Sequence, residues 1–310
     1  MEYRPEGTRR LLDMVASRRD VLRTGMLAAG AVAVGGPLLR ATPAFAADSA
    51  SDTVAKLSVV PDEVTDIKTI FIVAETAEQL AITLYRNIVR TARAGKLKPA
   101  LRQSEIEALA AAGIEEQIHH ELFAAVTGMA VIPTATHFSF PKADDTFAEL
   151  DEFIFAQQQL EGVFDSAFLA AVRELASPPN NQPRLAQIAA QIAVIESEHR
   201  ALGRQILANH GIDTIPNSNI PFTDGPFGKV DIGPGTLPTS PSDNWAFAPV
   251  FVESVPDAAD LAKAAGYLSP RPGNDFRYVP INLKDGGYYQ HIADKIQFQL
   301  PYINTADDGD

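Results

Sequence analysis

Two Glu-x-x-His pairs, Glu116-Gln117-Ile118-His119 and Glu196-Ser197-Glu198-His199, constrain this chain more than any other feature. Each lies in a stretch whose apolar residues recur at steps of three and four. That spacing marks an amphipathic helix facing a core. Residues three apart on such a helix sit about 5 to 6 Å apart between β-carbons, close enough to share one ion.

The same periodicity predicts four helices, over about 62–94, 103–127, 146–177 and 182–210. Ser104 with Glu107 forms a capping box for the second, and Gly128 stands where it should stop. The break Ser177-Pro178-Pro179-Asn180-Asn181 separates the third from the fourth. Short joins make the first two helices an antiparallel hairpin, and likewise the last two. Between the hairpins lies a longer link containing Pro133 and Pro141, sufficient to cross a bundle from end to end.

A carboxylate stands in each core-facing stripe where a hydrocarbon is expected. The first helix reads Ile67, Phe71, Ala74, Glu78, Ala81, Tyr85, Ile88, and the second Leu109, Ala112, Glu116, His119, Phe123, Val126. On the third, Glu161 falls seven residues from both Ile154 and Phe168, with Phe164 one turn away. The fourth reads Leu185, Ile188, Ile192, Ile195, His199, Leu202, Ile206, with Glu196 beside that stripe.

Burying four carboxylates without partners would cost several kcal/mol each, against a net stability of about 5 to 15 kcal/mol for a folded domain. The stripes contain no Lys or Arg to neutralise them. Two divalent ions would balance the four charges. With no cysteine in the chain, the ligands must be oxygen and nitrogen, which suits iron or manganese and also admits zinc.

Glu75, Glu115, Glu121 and Glu198 lie beside the stripes and are expected at the surface, with Glu75 alternatively an extra ligand or part of a route inward. His120 is expected at the surface, with a place behind the ligands as the alternative, while His137, His210 and His291 show no evident partner. Tyr85 fits equally a hydrogen bond near the site or plain core filling.

The N-terminus carries a different message. Ser17-Arg18-Arg19-Asp20-Val21-Leu22-Arg23 resembles a twin-arginine export motif. An apolar run from Met26 to Leu39 follows, and then Ala44-Phe45-Ala46, a small-x-small cleavage site. The run is shorter than the roughly 20 apolar residues of a spanning helix, and glycines and Pro37 interrupt it. Residues 1–46 are therefore expected to be a cleaved signal and 47–61 a linker. The protein should reach the periplasm, cell envelope or exterior, with no stable membrane insertion afterwards.

Of 26 basic and 39 acidic residues, the signal removes seven and four, leaving 19 and 35 and a formal charge of −16. Such a surface repels nucleic acid and attracts cations. Beyond the fourth helix, 211–310 is rich in Pro, Gly, Asn and Asp, with clusters such as Ile220-Pro221-Phe222 and Trp245-Ala246-Phe247. One short helix is expected at about 256–265, and the remainder as irregular chain packed on the bundle.

The order Glu, Glu-x-x-His, Glu, Glu-x-x-His resembles the ferritin-like di-metal carboxylate proteins. Thr76-Ala77-Glu78-Gln79-Leu80-Ala81 and Glu196-Ser197-Glu198-His199-Arg200-Ala201-Leu202 resemble the exported bacterial ferritin-like domain proteins in particular. The resemblance covers about 62–210 and implies an all-α ferritin-like four-helix bundle, two antiparallel hairpins joined by a long crossover. It implies Glu116 and Glu196 as bridging carboxylates, Glu78 and Glu161 as terminal ones, and His119 and His199 as one nitrogen ligand to each ion. In radical-forming reductase relatives a tyrosine lies one turn after the first histidine; here that position is Phe123, which argues against that role.

Such a centre suits oxygen or peroxide chemistry, as ferroxidase-like iron oxidation or peroxide removal in stress protection. The alternative is a metal-stabilised structural or binding module of the envelope without turnover. The long C-terminal extension argues against a storage cage. The sequence leaves the oligomeric state open.

Overall fold

The computed structural model describes residues 64–127, 136–212, 214–216, 236–238 and 252–296. The predicted signal and linker, Gly128, Pro133, the 220–222 and 245–247 clusters and the side chain of Val126 lie outside them.

Four long helices form the bundle: α1 Ile67–Arg93, α2 Gln103–Thr127, α4 Leu150–Ala176 and α5 Pro183–Asn209. α1 packs chiefly on α2 and α4 on α5, so the architecture is two hairpins joined by one long crossover, the connectivity of ferritin-like bundles.

Several helix starts have a local cause, and three differ from expectation. α1 begins five residues late because the Asp66 carboxylate caps it, accepting from the Thr69 amide at 3.1 Å. At the start of α2 it is Glu105 that reaches back, its carboxylate accepting from the Arg102 amide at 2.9 Å, while Glu107 accepts from the Gln103 side chain. The predicted third helix is split into a short α3, Asp145–Ala148, and α4, with Glu149 extended between them. The α1–α2 loop pairs there: the Lys98 amide donates to the Ala148 carbonyl at 2.9 Å and the Leu150 amide to the Lys98 carbonyl at 2.8 Å. α5 starts with Pro183, whose missing N–H is not needed in a first turn.

The described C-terminal segments pack on this frame. α6, Val255–Ala264, carries a capping box between Ser254 and Asp257 and lies against α1 and α4. α7, Tyr288–Ala293, lies against α2. A two-residue strand of the crossover, β1 (His137–Phe138), pairs antiparallel with β4 (Phe276–Arg277), stitching the C-terminal segment to the link between hairpins. β2 (Thr214–Pro216) and β3 (Thr236–Pro238) form a separate antiparallel pair.

These additions give α1 a second buried face. Besides its bundle stripe it buries Glu75, Gln79, Thr83 and Val89, so it is covered on more sides than an amphipathic surface helix. The core runs the length of the bundle, and at its middle it turns polar.

Candidate metal centre

The six predicted residues converge at that level. α1 supplies Glu78, α2 Glu116 and His119, α4 Glu161, and α5 Glu196 and His199. Glu116, Glu161 and Glu196 are 0% exposed and Glu78 1%, so none of the four carboxylates is solvated.

They form two overlapping groups whose ligand atoms lie within 4.8 Å of one another. One comprises Glu78, Glu116, His119 and Glu196, the other Glu116, Glu161, Glu196 and His199. Glu116 and Glu196 belong to both, and their oxygens divide accordingly. From His119 Nδ1, Glu116 Oε2 is 3.6 Å and Glu196 Oε1 3.8 Å away. From His199 Nδ1, Glu116 Oε1 is 2.9 Å and Glu196 Oε2 3.5 Å away. Each carboxylate thus turns one oxygen to each histidine. Glu78 Oε2 lies 3.7 Å from His119 Nδ1 and Glu161 Oε1 3.7 Å from His199 Nδ1, one terminal carboxylate on each side.

The polar atoms at the centre lack hydrogen-bond partners. Both oxygens of Glu78, Glu116 and Glu196, Oε2 of Glu161, and Nδ1 of both histidines are buried without one; the short His199–Glu116 contact has no hydrogen-bond alignment. Unpaired buried carboxylates are among the costliest arrangements in a protein interior. Ligands about 2.1 Å from a common ion stand roughly 3 to 3.5 Å from one another, close to the separations found here. The donor set of oxygens and imidazole nitrogens therefore fits two hard or borderline divalent cations.

Electrostatics in the ion-free protein point the same way. Burial, then the neighbouring carboxylates with Glu116 foremost, holds Glu78 well above the usual carboxylate range. Glu196 is raised by burial and by Glu116 and Glu161. For Glu116 burial pushes upward, but the two imidazoles outweigh it and hold it low. Burial works against the charged form of His199, yet Tyr85, Glu116 and Glu161 together raise it well above its ordinary value. A proton shared among these groups does part of what a cation would do fully.

Three side chains support the six, of which Glu115 and Gln157 were not foreseen in that place. Glu115, expected at the surface, is one-third exposed, and its Oε2 lies 2.9 Å from His199 Nε2. Tyr85 is fully buried and donates a short hydrogen bond to Glu161 Oε1. The Gln157 amide bridges the Tyr85 hydroxyl at 3.0 Å and the His199 carbonyl at 2.8 Å. Tyr85 is therefore part of the polar network rather than core filler alone.

Other neighbours correct the sequence reading. Glu75 and His120 are buried, 2% and 3% exposed, not at the surface. His120 packs with its ring tilted against Tyr278, centroids 5.6 Å apart, lies 3.2 Å from the Gln79 amide, and is held down to about 4 by burial, hence neutral. Glu121 and Glu198 are exposed, as expected. On α5 Glu196 sits at the centre of the buried face, whereas Ile195 and Leu202 are only half-buried. A basic residue does enter the interior: Arg200 is 6% exposed, 3.7 Å from Asp165, whose carboxyl is pushed up to about 6 by burial. His137 faces Asp275 at 2.7 Å and His210 faces Glu105 at 2.9 Å, both remote from the six.

Residues 66–209 match the family model described as Ferritin-like domain. No curated protein and no solved structure matches the chain. The bundle is thus a ferritin-like domain enclosing a buried carboxylate and histidine cluster suited to metal.

Proposed function

We propose that this ferritin-like domain holds two divalent ions, iron or manganese, and uses them to transfer electrons to dioxygen or peroxide in oxidative-stress protection outside the cytoplasm. One observation carries the reading: Glu116 and Glu196 each direct one oxygen toward His119 and the other toward His199. That division is what two carboxylates bridging a pair of ions require.

In this reading Glu78 and His119 complete one site, and Glu161 and His199 the other. Held there, a pair of such ions would supply one electron each to a single O–O bond. The chain's own work is to exclude bulk water, to fix the His199 ring through Glu115, and to hold Glu161 through Tyr85.

Metal analysis of protein folded in metal-replete cells tests the site, with two ions per chain expected. Far fewer ions, together with an unchanged melting temperature in Glu116→Ala, would refute it. Iron-loaded protein should then show an oxygen- or peroxide-dependent absorbance change. If neither oxidant produces one with iron, and peroxide is not consumed with manganese, the redox role fails.

A second reading is a metal-stabilised envelope module without turnover. It draws on the packing of α6 across α1 and α4 and of α7 on α2, which makes the bundle the base of a larger structure. Two bound ions with no oxidation chemistry would favour it.

Export belongs to the proposal too, resting on the Arg18-Arg19 motif and the Ala44-Phe45-Ala46 site. Among the described residues no helix is long and apolar enough to cross a membrane. The mature chain should begin at Ala47, and replacing both Arg18 and Arg19 with Lys should leave it unprocessed inside the cell; normal processing of that variant would count against twin-arginine export.

A further inference from the structure

Between Glu78 and Glu105 the chain carries six basic residues and no acidic one, although acidic residues outnumber basic ones by 39 to 26 overall. Five of the six are exposed: Arg90 and Arg93 in the last turn of α1, Lys96 and Lys98 in the loop that follows, and Arg102 just before α2. None of the five is paired with a carboxylate among the described residues.

Three of them are held in place by neutral groups instead. The Arg90 guanidinium donates to the Asn87 side-chain oxygen at 2.7 Å and that of Arg102 to the Asn209 carbonyl at 3.3 Å, while Arg93 lies 3.8 Å over the Tyr288 ring. Such partners fix a cation without cancelling its charge. Arg90 and Arg93 also complement the C-terminal end of the α1 dipole, which gives them a structural reason. Lys96, Lys98 and Arg102 stand beyond that helix and have no such reason. Glu105 does not neutralise them: it is buried, and its carboxylate is taken up by the Arg102 amide, the Asn209 side chain and His210.

The setting narrows the partner. The exposed large apolar side chains among the described residues are Leu169, Val194 and Val279, all elsewhere. The surface therefore has no wedge to push into a bilayer and no aromatic platform on which nucleic-acid bases could stack. α1 is about 40 Å long, several times the roughly 8 Å over which charges are felt at physiological salt. A flat anionic surface touching this end meets the five cations, while acidic groups farther along the bundle are screened from it. A long soluble polyanion would lie partly against those acidic flanks.

The neighbouring segment limits the patch. Asp144, Asp145 and Glu149 are exposed there, and the Lys98 backbone pairs with Ala148 and Leu150 on either side of Glu149. The cationic surface is thus one corner of the bundle end, the corner made by the first hairpin.

We propose that this corner docks the domain on anionic phospholipid headgroups, at the bilayer surface and without insertion. The inference goes beyond the metal reading and does not depend on it. Each cation within reach of such a surface strengthens binding about five-fold, so the contact is reversible and weakens as salt is raised.

Cosedimentation of the full-length protein with vesicles of equal phosphatidylglycerol and phosphatidylcholine tests this, with pure phosphatidylcholine as the neutral control. The N-terminal segment is common to all variants, so differences between them report on the corner. Lys96→Gln combined with Lys98→Gln should weaken binding to the charged vesicles about 25-fold, with melting temperature and ion stoichiometry unchanged, because both side chains are exposed. Glu149→Lys, which replaces an acid beside the patch with a cation, should strengthen it several-fold. Amide hydrogen exchange over 90–102 should slow on addition of charged vesicles and recover in about 0.5 M salt.

Equal binding of wild type and the Lys96, Lys98 double variant would overturn the proposal, as would unchanged exchange over 90–102. Inorganic polyphosphate that binds and protects as well as the vesicles do would make the partner a soluble polyanion. Salt-sensitive self-association lost in the same double variant would make it a second copy of this chain. Either result overturns the lipid assignment. A protein that docks on charged vesicles but takes up no metal would refute the proposed function alone, so the two failures are distinguishable.

Discussion

Glu115 Oε2 lies 2.9 Å from His199 Nε2, on the side of the ring away from the cluster, so that Nδ1 faces Glu116, Glu161 and Glu196. A carboxylate on the outer nitrogen fixes the ring and makes the inner nitrogen a better ligand, and loss of such partners costs about 10- to 100-fold in metal affinity. Glu115→Ala should weaken one of two ions by that order in a competition titration. Glu115→Gln, which can still accept from Nε2, should weaken it less. Equal affinities for both variants and wild type would remove Glu115 from the site.

The two halves of the centre are not equally supported. Glu161 receives the Tyr85 hydroxyl and His199 is held by Glu115, whereas both oxygens of Glu78 lack a hydrogen-bond partner and His119 is 12% exposed. Titration with manganese should therefore be biphasic, the Glu161–His199 side filling first. Tyr85→Phe should narrow the gap between the two phases and cost about 1 to 3 kcal/mol in urea unfolding of the loaded protein, because buried partners lose a hydrogen bond. A single phase in wild type would contradict this ranking.

Without ions the centre should make the protein less stable as pH rises. Glu78 and Glu196 bind their protons more tightly folded than unfolded, so their contribution is complete below their ordinary value of 4.5 and is lost as pH climbs toward the raised value. His199 behaves likewise from 6.5 upward. Glu116, lowered, opposes this only in acid, where its contribution is lost as pH falls below 4.5. His120, held down to about 4, opposes it up to its ordinary value of 6.5, so the melting temperature of the metal-free protein should fall between about pH 6.5 and pH 8, and saturating metal should reverse the trend, since ligands must be deprotonated to bind. A metal-free protein whose melting point rises across that range would show that the carboxylates are not mutually destabilising.

Gly203 permits the Gln157 bridge. A Cβ at this position would stand 1.8 Å from Gln157 Oε1 and 3.0 Å from Gln158 Nε2. Gln157 cannot yield freely, because its amide holds both Tyr85 and the His199 carbonyl. Gly203→Ala should cost about 1 to 3 kcal/mol by overpacking, measured by denaturant unfolding, despite the better helix propensity of alanine. A neutral or stabilising result would mean that the bridge is dispensable.

The bundle and its six polar residues were legible in the sequence because one periodicity carried both. The bounds of α2 were read as 103–127, where the helix runs, and the carboxylates stood out against hydrocarbon neighbours. What periodicity could not reveal was the second buried face of α1 and α2. Glu75 and His120 lie off the bundle stripe and are covered by chain from far away in sequence, including Tyr278, so local spacing marks them as exposed. The position of Glu196 was misjudged by a small rotation: in a helix of 3.6 residues per turn, a stripe through Ile192 and His199 passes as readily through Glu196 as through Ile195. The Asp165–Arg200 pair escaped notice because each partner depends on the other hairpin member to be buried. The extended Glu149 depended on the Lys98 backbone, which only the folded arrangement brings alongside.

The Ile281 amide donates to Gln117 Oε1 at 2.9 Å, across 164 positions of chain. At about 5 to 20 residues per second of synthesis, the acceptor exists for roughly 10 to 30 seconds before its donor is made. During that interval the four helices can assemble, but the outer surface of the first hairpin, with Glu75 and His120, is still open to solvent. The order of synthesis thus allows assembly around the cluster before the surrounding coat can close.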